Sequence, residues 1–539
     1  MATFRVKDVY DGNCVFLTGG TGFLGKVMIE KMLWALDGID KIYLLIRARK
    51  GSEPAERLRG LIHDPLFARL HSEKPDVFNK LVAVNGDMML ENFGFSEEDH
   101  QEIINKVSVV IHSAATVKFD DHIRTAVTMN LIGTKRIIAL CHEIKALKVL
   151  VHVSTAYANC DRVETTEKIY KSPVPPEKLI DALSWMDDDT LTKITPKILG
   201  LRPNTYTLTK ALAESTIEEE AKDIPVIVIR PSIVGAMWKG PLPGWTDNIN
   251  GPTGIFAAVG GAVLTNMCGS SESKADIIPV DIVANMIIAA ASYRASIQPN
   301  RIPVIHCSSG ELNPLLWGHI VVFLDAFYRK YPMNKSIGVP STYFHKTRAF
   351  FIMNYYLRHH IPAMAMDWYC RLRGRKSSPL IRYARMYEKA WKMTDTLHFF
   401  TTRGWNFHAN GMPELYGKMT QEDQKNFNFD VRQVDWDSYL FDYVMGIKKF
   451  INKENVEDTR FAKNQLLWFR FRRQALASIL YAIVIFYGGR KWKRSTRYMS
   501  WLMTVAISTL YAENSYRKRV PLKSLDDYLQ TSNYSNYLQ

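Results

Sequence analysis

The stretch VFLTGGTGFLG, residues 15–25, decides the fold. An apolar, β-branched run stops at Thr18, glycines follow at positions 19, 22 and 25, and the amphipathic run KVMIEKMLWAL begins at Lys26. A strand, a tight turn and a helix in that order aim the unpaired N–H groups of a helix N-terminus at the end of a strand, where they and the helix dipole accept a pyrophosphate. The spacing is GxxGxxG rather than GxGxxG, and glycines also simply make turns. The strand-turn-helix context is what points to a dinucleotide. The cradle read from it comprises Thr18, Gly19, Gly20, Thr21, Gly22, Phe23, Leu24 and Gly25.

Working outward, short apolar runs recur between segments of helical period: KIYLLIR (41–47), LVAVNGD (81–87), VSVVIHSAA (107–115), KVLVHVSTA (148–156) and IPVIVIRPS (224–232). Such runs are strands buried on both faces. They predict a Rossmann-like α/β fold with a doubly wound parallel sheet, occupying residues 1–327. From about Tyr328 the sequence turns aromatic-rich and helical, predicting a mainly helical domain over 328–460, in which the adjacent His359 and His360 lack metal-ligand spacing and read as structural or surface residues. Residues 461–539 form a basic, apolar tail: no acid occurs between Asp458 and Glu513, and FRFRR and GGRKWKRSTR flank the runs ALASILYAIVIFY (475–487) and YMSWLMTVAISTLY (498–511).

The 539 residues exceed one ordinary domain, and 47% apolar content suffices for packed cores. A net charge of +15 favours anionic partners. Its concentration beside apolar runs, with no nucleic-acid module in view, points to a membrane surface rather than nucleic acid. The six cysteines form no CxxC pair and read as buried thiols of a reducing compartment, no metal site is expected, and the N-terminus lacks the apolar segment of a secretory signal.

The second apolar run ends in IRARKG, where an acid would select NAD. Arg47 and Arg49, with Lys50 behind them, suit a 2′-phosphate instead, so NADPH is the expected cofactor. Asp87 closes the third run where it is able to accept from an adenine amino group, and Ala114 and Ala115 let the backbone pass close to the cofactor. In TYTLTKALAE, Tyr206 and Lys210 are four apart and share a helix face. A neighbouring ammonium is expected to lower the phenol's pKa, fitting Tyr206 to donate a proton. Ser154 and Thr155, in HVSTAY at a strand end, offer a hydroxyl for a substrate carbonyl, and Asn130 completes the set through water and the lysine.

Taken together, these residues resemble the extended short-chain dehydrogenase/reductase superfamily, and within it the eukaryotic alcohol-forming fatty acyl-CoA reductases. The likeness is carried by TGGTGFLGKV, VHVSTAYAN, ITPKILGLRPNTYTLTKALAE, IRPSIVGAMWKGPLPGWTDNINGPTG, ADIIPVDIVANMI and NFNFDVRQVDW, and fades after about residue 460. The resemblance implies Tyr206 and Lys210 as the catalytic pair with Thr155 or Ser154, and adds Pro231 and Ile233 to the cofactor's neighbours. It further implies NADPH as reductant, a fatty acyl-CoA substrate reduced twice to an alcohol, a helical domain covering the acyl site, and a peroxisomal or endoplasmic reticulum membrane with the catalytic domain facing the cytosol. Related reductases acting on steroids or sugar nucleotides share the glycine turn and YxxxK but release no thiol.

Two features bear on substrate access. Fifty-one positions separate Thr155 from Tyr206, more than a connector needs, and this insertion with residues 235–254 is expected to form part of an acyl-CoA cover. Each tail run, as a helix, would rise about 20 Å against a hydrocarbon core of roughly 30 Å, leaving open a re-entrant hairpin, an interfacial pair, a single span or two core helices. Whether copies of the chain form a homo-oligomer is left open.

Overall fold

The computed structural model describes residues 3–49, 51–297, 299–372, 383–488, 492–515 and 522–531. Among these, seven parallel strands form one sheet: β1 (Cys14–Thr18), β2 (Ile42–Ile46), β3 (Leu81–Asn85), β4 (Val107–His112), β5 (Val149–Val153), β6 (Val226–Pro231) and β7 (Val304–Cys307). Their order is β7-β6-β5-β4-β1-β2-β3, so the winding reverses between β1 and β4. Five of the seven match the runs read from the sequence besides the opening one. The seventh, β7, was not among them: its VIHC run, four residues long, is the shortest of the seven.

Strand side chains alternate between two layers, as the pleat requires. Val15 and Leu17 of β1 face one core while Cys14 and Phe16 face the other. Four helices are needed to place the site: α1 (Phe23–Ala35), α2 (Pro54–Ile62), α3 (Thr205–Glu220) and α4 (Val280–Ser296). α1 and α4 cover the first face, and α4 is buried along almost its whole length, so its residues are apolar on every side. The same core continues into the C-terminal part of the chain through Met412, Leu415, Phe427, Tyr439 and Tyr443. Tyr439 donates to the Ala236 carbonyl at 3.0 Å, fastening that region to the loop after β6.

The insertion between Thr155 and Tyr206 folds into helices Pro176–Trp185 and Asp188–Leu199. Their Leu179, Leu183 and Leu191 pack on Leu208 and Leu212 of α3 in a small core of their own. The two helices of the insertion therefore send their apolar residues to α3, while its first residues, Tyr157 and Cys160, join the apolar cluster near Tyr206. Farther on, α5 (Tyr383–Thr402) lies over the C-terminal ends of the strands, as shown below.

The tail folds as two antiparallel helices, α6 (Arg460–Gly488) and α7 (Arg494–Ser515). Trp501 Nε1 donates to the Ser478 carbonyl at 2.9 Å and Arg497 to that of Phe486 at 3.2 Å. Leu476, Ile479, Leu480, Ile483 and Leu502 remain exposed, which rules out two buried core helices. No helix among the described residues is long and apolar enough to cross a membrane. Of the cysteines, five are buried free thiols and Cys370 is half-buried.

Candidate active site

The glycine turn is packed backbone against backbone. Gly19 has φ +78°, and a Cβ there would lie 2.8 Å from the Ala114 nitrogen. At Gly25 a Cβ would lie 2.2 Å from the Gly19 oxygen. Thr18 ties the turn to the neighbouring strand end: its Oγ1 accepts from Ala114 N at 3.2 Å and meets His112 Nδ1 at 2.9 Å. His112, buried and near Lys210, is held neutral, its pKa pushed down to about 3. The N-cap of α1 is Gly22, which brings no capping side chain, so the first turn of α1 opens at the β1/β4 reversal without a competitor for its donors. Phe23 stacks on Trp245 at 5.4 Å, and Lys26 pairs with Asp64 at 2.7 Å and Asp247 at 3.1 Å. The loop of residues 235–254 thus folds back on α1 beside the cradle. Thr21 and Leu24 flank the turn, Leu24 resting on the core, and Gly20 sits against Leu44.

Past β2 three guanidinium groups converge. Arg47 is exposed and reaches Asp87 at 3.3 Å, Arg49 pairs through its backbone with Ser52, and Arg57 of α2 donates to the Arg47 carbonyl. Burial, then the nearness of Arg49 and Arg47, hold Arg57 below the ordinary arginine value. Lys50 lies outside the described residues. One carboxylate, Asp87, faces this charge and also accepts from Met89 N at 3.1 Å. A side-chain-free cradle beside a locus of positive charge fits a dinucleotide diphosphate with a further phosphate at the second strand's end.

Asn204 caps α3 by accepting from Thr207 N at 2.9 Å, and the helix then presents Tyr206, Lys210 and Glu214 one turn apart on one face. Thr155 follows β5; its hydroxyl donates to the Pro231 carbonyl at 3.4 Å, accepts from Tyr157 N at 3.3 Å and lies beside the Tyr206 phenol, whose pKa it lowers. Lys210 is buried and donates to the Val153 carbonyl at 2.7 Å. Burial lowers its pKa to about 8, with Glu214 pulling the other way. Tyr206 departs from expectation: burial pushes its phenol up to about 12, against the smaller opposing effect of Thr155. The lysine's nitrogen is committed to a strand carbonyl rather than to the phenol, so desolvation wins.

The two candidate hydroxyls part company. Ser154 donates to Glu214 Oε1 at 2.5 Å, turning away from Tyr206. Glu214 is also gripped by Arg230 through 2.8 and 2.6 Å bonds, and Arg230 donates in turn to the Lys168 carbonyl at 2.8 Å. This fully buried pair braces β5, β6 and α3 beneath the site. Asn130 sits in a π-helical turn, Thr128–Ile132, and its Nδ2 donates to Thr209 Oγ1 at 3.0 Å and the Thr116 carbonyl at 3.2 Å. It fixes the loop after Ala114 and Ala115 to α3, one residue from Lys210, without touching the lysine directly.

Above Tyr206 the surroundings are aromatic. Phe119 stacks on Tyr206 at 6.0 Å, and Phe400 of α5 meets Phe119 at 5.6 Å. Tyr157, Trp405 and Phe407 complete a cluster with Leu397, Phe399 and Ile233 at its margin. A phenol with a hydroxyl partner and an ammonium one turn away, opening onto an apolar wall and next to a dinucleotide cradle, is suited to adding hydride to a carbonyl on an apolar chain.

Comparison with known proteins agrees. The male sterility protein family matches residues 17–287 and again 358–454. Fatty acyl-CoA reductase 1 of Rattus norvegicus is 39% identical over 481 residues, 89% of this chain and 92% of its own. The chain belongs to the fatty acyl-CoA reductase family. Fatty acyl-CoA reductase 2 of Mus musculus is 36% identical over 88% of this chain and 92% of its own. In fold, the reductase domains of the myxalamid PKS-NRPS pathway and of a Mycobacterium tuberculosis nonribosomal peptide synthetase superpose with TM-scores of 0.53, at 16% and 15% identity; each comparison covers 83% of this chain, and 93% and 94% of those chains. The chain is thus an oxidoreductase that uses a nicotinamide cofactor.

Several residues of this reductase site went unread in the sequence. Glu214 stands inside TYTLTKALAE at the next i,i+4 step after Lys210, a signal available but unused. Arg57, Phe119, Arg230 and Phe400 come from distant segments that only the fold brings together. The geometry makes unequal demands on the two hydroxyls: Thr155→Val is expected to lower kcat about 100-fold by removing a donor to the developing oxyanion. Ser154→Ala should leave kcat within a few-fold and show itself as lost thermal stability. Steady-state kinetics on both variants, with thermal unfolding, checks this, and the reverse ranking would move the catalytic hydroxyl to Ser154.

Proposed function

We propose that this enzyme reduces a long-chain fatty acyl-CoA to the fatty alcohol with NADPH, releasing CoA, in two hydride transfers through the aldehyde. A reduced nicotinamide bound at the glycine turn supplies the hydride. Tyr206 gives its proton to the acyl carbonyl oxygen as charge develops there, and Thr155 donates a hydrogen bond to the same atom. Lys210 holds the nicotinamide ribose and keeps positive charge beside the phenol, easing loss of its proton. Arg47, Arg49 and Arg57 hold the 2′-phosphate that separates NADPH from NADH. As the tetrahedral adduct collapses, its hydroxyl proton returns to the Tyr206 phenolate and the departing thiolate takes a proton from solvent; once the oxidised cofactor is exchanged for a reduced one, the aldehyde meets the reprotonated phenol for the second reduction. The aromatic wall shields it from water meanwhile.

The observation that carries the substrate reading is the stack of Phe119 on Tyr206, continued by Phe400 and Leu397 of α5. A sugar-nucleotide substrate has no need of an aromatic wall brought to the phenol by a separate helical segment. The exposed apolar helices α6 and α7, flanked by arginines, further support a tail lying on a membrane. We extend the proposal to a peroxisomal or endoplasmic reticulum surface, with the catalytic part toward the cytosol, as the resemblance read in the sequence implies.

Purified enzyme should be incubated anaerobically with palmitoyl-CoA and NADPH while NADPH loss, free thiol and lipid products are followed. The expected result is two NADPH consumed per CoA released, with hexadecanol formed, and NADH a poor substitute until Arg47 and Arg57 are replaced by alanine. One NADPH per CoA would make the enzyme aldehyde-releasing, and no thiol across chain lengths would end the acyl-CoA reading.

A further inference from the structure

Residues 348–372 form one continuous helical stretch, with a π turn at Tyr356–His360 between Arg348–Tyr355 and Ile361–Leu372. At 1.5 Å per residue it is about 37 Å long. It carries two apolar rows. Phe351, Tyr355, His359 and Ala363 are buried, with Phe351 stacked on Trp391 of α5 at 5.2 Å and His359 Nε2 bonded to Thr265 Oγ1 at 2.8 Å. This inward row confirms a packing role for His359, while His360 lies against Tyr355.

The second row faces solvent. Phe350, Met353, Leu357, Ile361, Met364 and Trp368 recur at steps of three and four, and each is about half exposed or more, Trp368 at 64%. A single exposed leucine would mean nothing, but an unbroken stripe running the length of the helix exceeds what a soluble surface ordinarily shows. Tyr356 and Tyr369 flank it, as do Lys346, Arg358 and Arg371, with Arg348 paired to Asp395 of α5 at 2.8 Å, against one acid in the stretch, Asp367. Apolar stripe, aromatic borders and excess cations are the composition of a helix that lies in a bilayer interface, its long basic side chains reaching toward headgroups.

We propose that the helix of residues 348–372 is a membrane-docking surface, separate from the tail, that lies in the plane of an anionic lipid bilayer with the Phe350–Trp368 row immersed. A second copy of the chain is a poorer occupant. A two-fold contact along the stripe sets its midpoint, near Ile361, against itself and brings Arg358 toward its own copy, like charge on like. An anionic bilayer reverses that sign. The docked helix rests on α5, whose other end carries Leu397 and Phe400 to the wall above Tyr206. If the substrate is an acyl thioester, as proposed above, docking places its source next to the site, but the docking itself does not depend on that reading.

The test uses the full chain, so that tail binding and helix docking are read separately. With Cys370→Ser removing the half-buried thiol and five native cysteines buried, Leu357→Cys takes an environment-sensitive fluorophore at the middle of the stripe. Lys193→Cys, on the exposed helix of the insertion, is the control. On vesicles of phosphatidylcholine with phosphatidylserine, the label at 357 should brighten several-fold, shift to the blue and be quenched by lipids carrying nitroxide in their chains. The label at 193 should not respond. Without phosphatidylserine, or at high salt, the response should weaken, because screening acts over about 8–10 Å. Adding Met353→Asp with Met364→Asp should abolish it while flotation through the tail persists. Flotation without any change at 357 would overturn the proposal, as would a signal that grows with protein concentration in the absence of vesicles, which would mean self-association. Neither result depends on turnover, so failure here leaves the acyl-CoA reading standing.

Discussion

Tyr206→Phe is expected to lower kcat about 1000-fold, the middle of the range for losing a positioned acid, with little change in cofactor affinity or thermal stability. The hydroxyl alone is removed. The ring keeps its stack on Phe119, and the substitution frees Thr155 rather than stranding a buried charge. Stopped-flow single turnovers with cofactor fluorescence separate binding from chemistry. A variant retaining a tenth of wild-type kcat would mean that another group protonates the oxyanion.

The wild-type pH profile carries a second mark of the same machinery. Lys210 must be an ammonium to favour the phenolate, and burial sets its pKa at about 8 against an ordinary 10.5. Activity should therefore fall as pH rises through about 8. Stability should move the other way: between that value and 10.5 the unfolded chain holds the proton that the folded one has released, so the unfolded state binds more protons and stability from this residue rises with pH. Activity falling while this contribution to stability grows distinguishes titration of Lys210 from unfolding.

What could be read in the sequence divides along physical lines. Strands buried on both faces show as continuous apolar runs, so β2 to β6 were legible, and β1 announced itself through the turn that follows. β7 is as buried as the rest, but at four residues it is the shortest strand of the sheet, too brief a run to stand out before the fold sets it beside β6. The site divides in the same way. Tyr206, Lys210 and Thr155 lie at helix and strand positions whose spacing encodes their direction. The choice between Ser154 and Thr155 was not encoded, because it depends on where Glu214 and Arg230 sit across the fold. The sign of the Tyr206 shift was misread for a related reason: adjacency on a helix gave the lysine, but burial and the Val153 carbonyl that occupies it are tertiary facts. The insertion followed suit, since its length was visible while the packing of its two helices on α3 was not.

Gly25→Ala is expected to abolish productive cofactor binding, raising the apparent Kd for NADPH at least about 100-fold. The added methyl would sit 2.2 Å from the Gly19 oxygen and 2.7 Å from the Gly20 Cα. Both are backbone atoms, so no rotamer change relieves the clash, and either α1 or the turn itself must move. α1 is held by Val27, Met28, Ile29 and Met32 in the core under the sheet, which leaves the turn to yield. The turn has little room to yield on the Ala114 side, where a Cβ on Gly19 would lie only 2.8 Å from the Ala114 nitrogen. The overpacking itself costs about 1–3 kcal/mol, small enough for the fold to survive. Gly60→Ala is the matched control, since nothing lies within 4 Å of a Cβ there and the position is helical, so a slight gain in stability of roughly 0.5–1 kcal/mol is expected. Cofactor titration by fluorescence together with thermal unfolding reads both. Should Gly25→Ala unfold near the wild-type temperature and still bind NADPH within a few-fold, the diphosphate does not rest on this turn, and the assignment that began with VFLTGGTGFLG would have to be redrawn around another strand end.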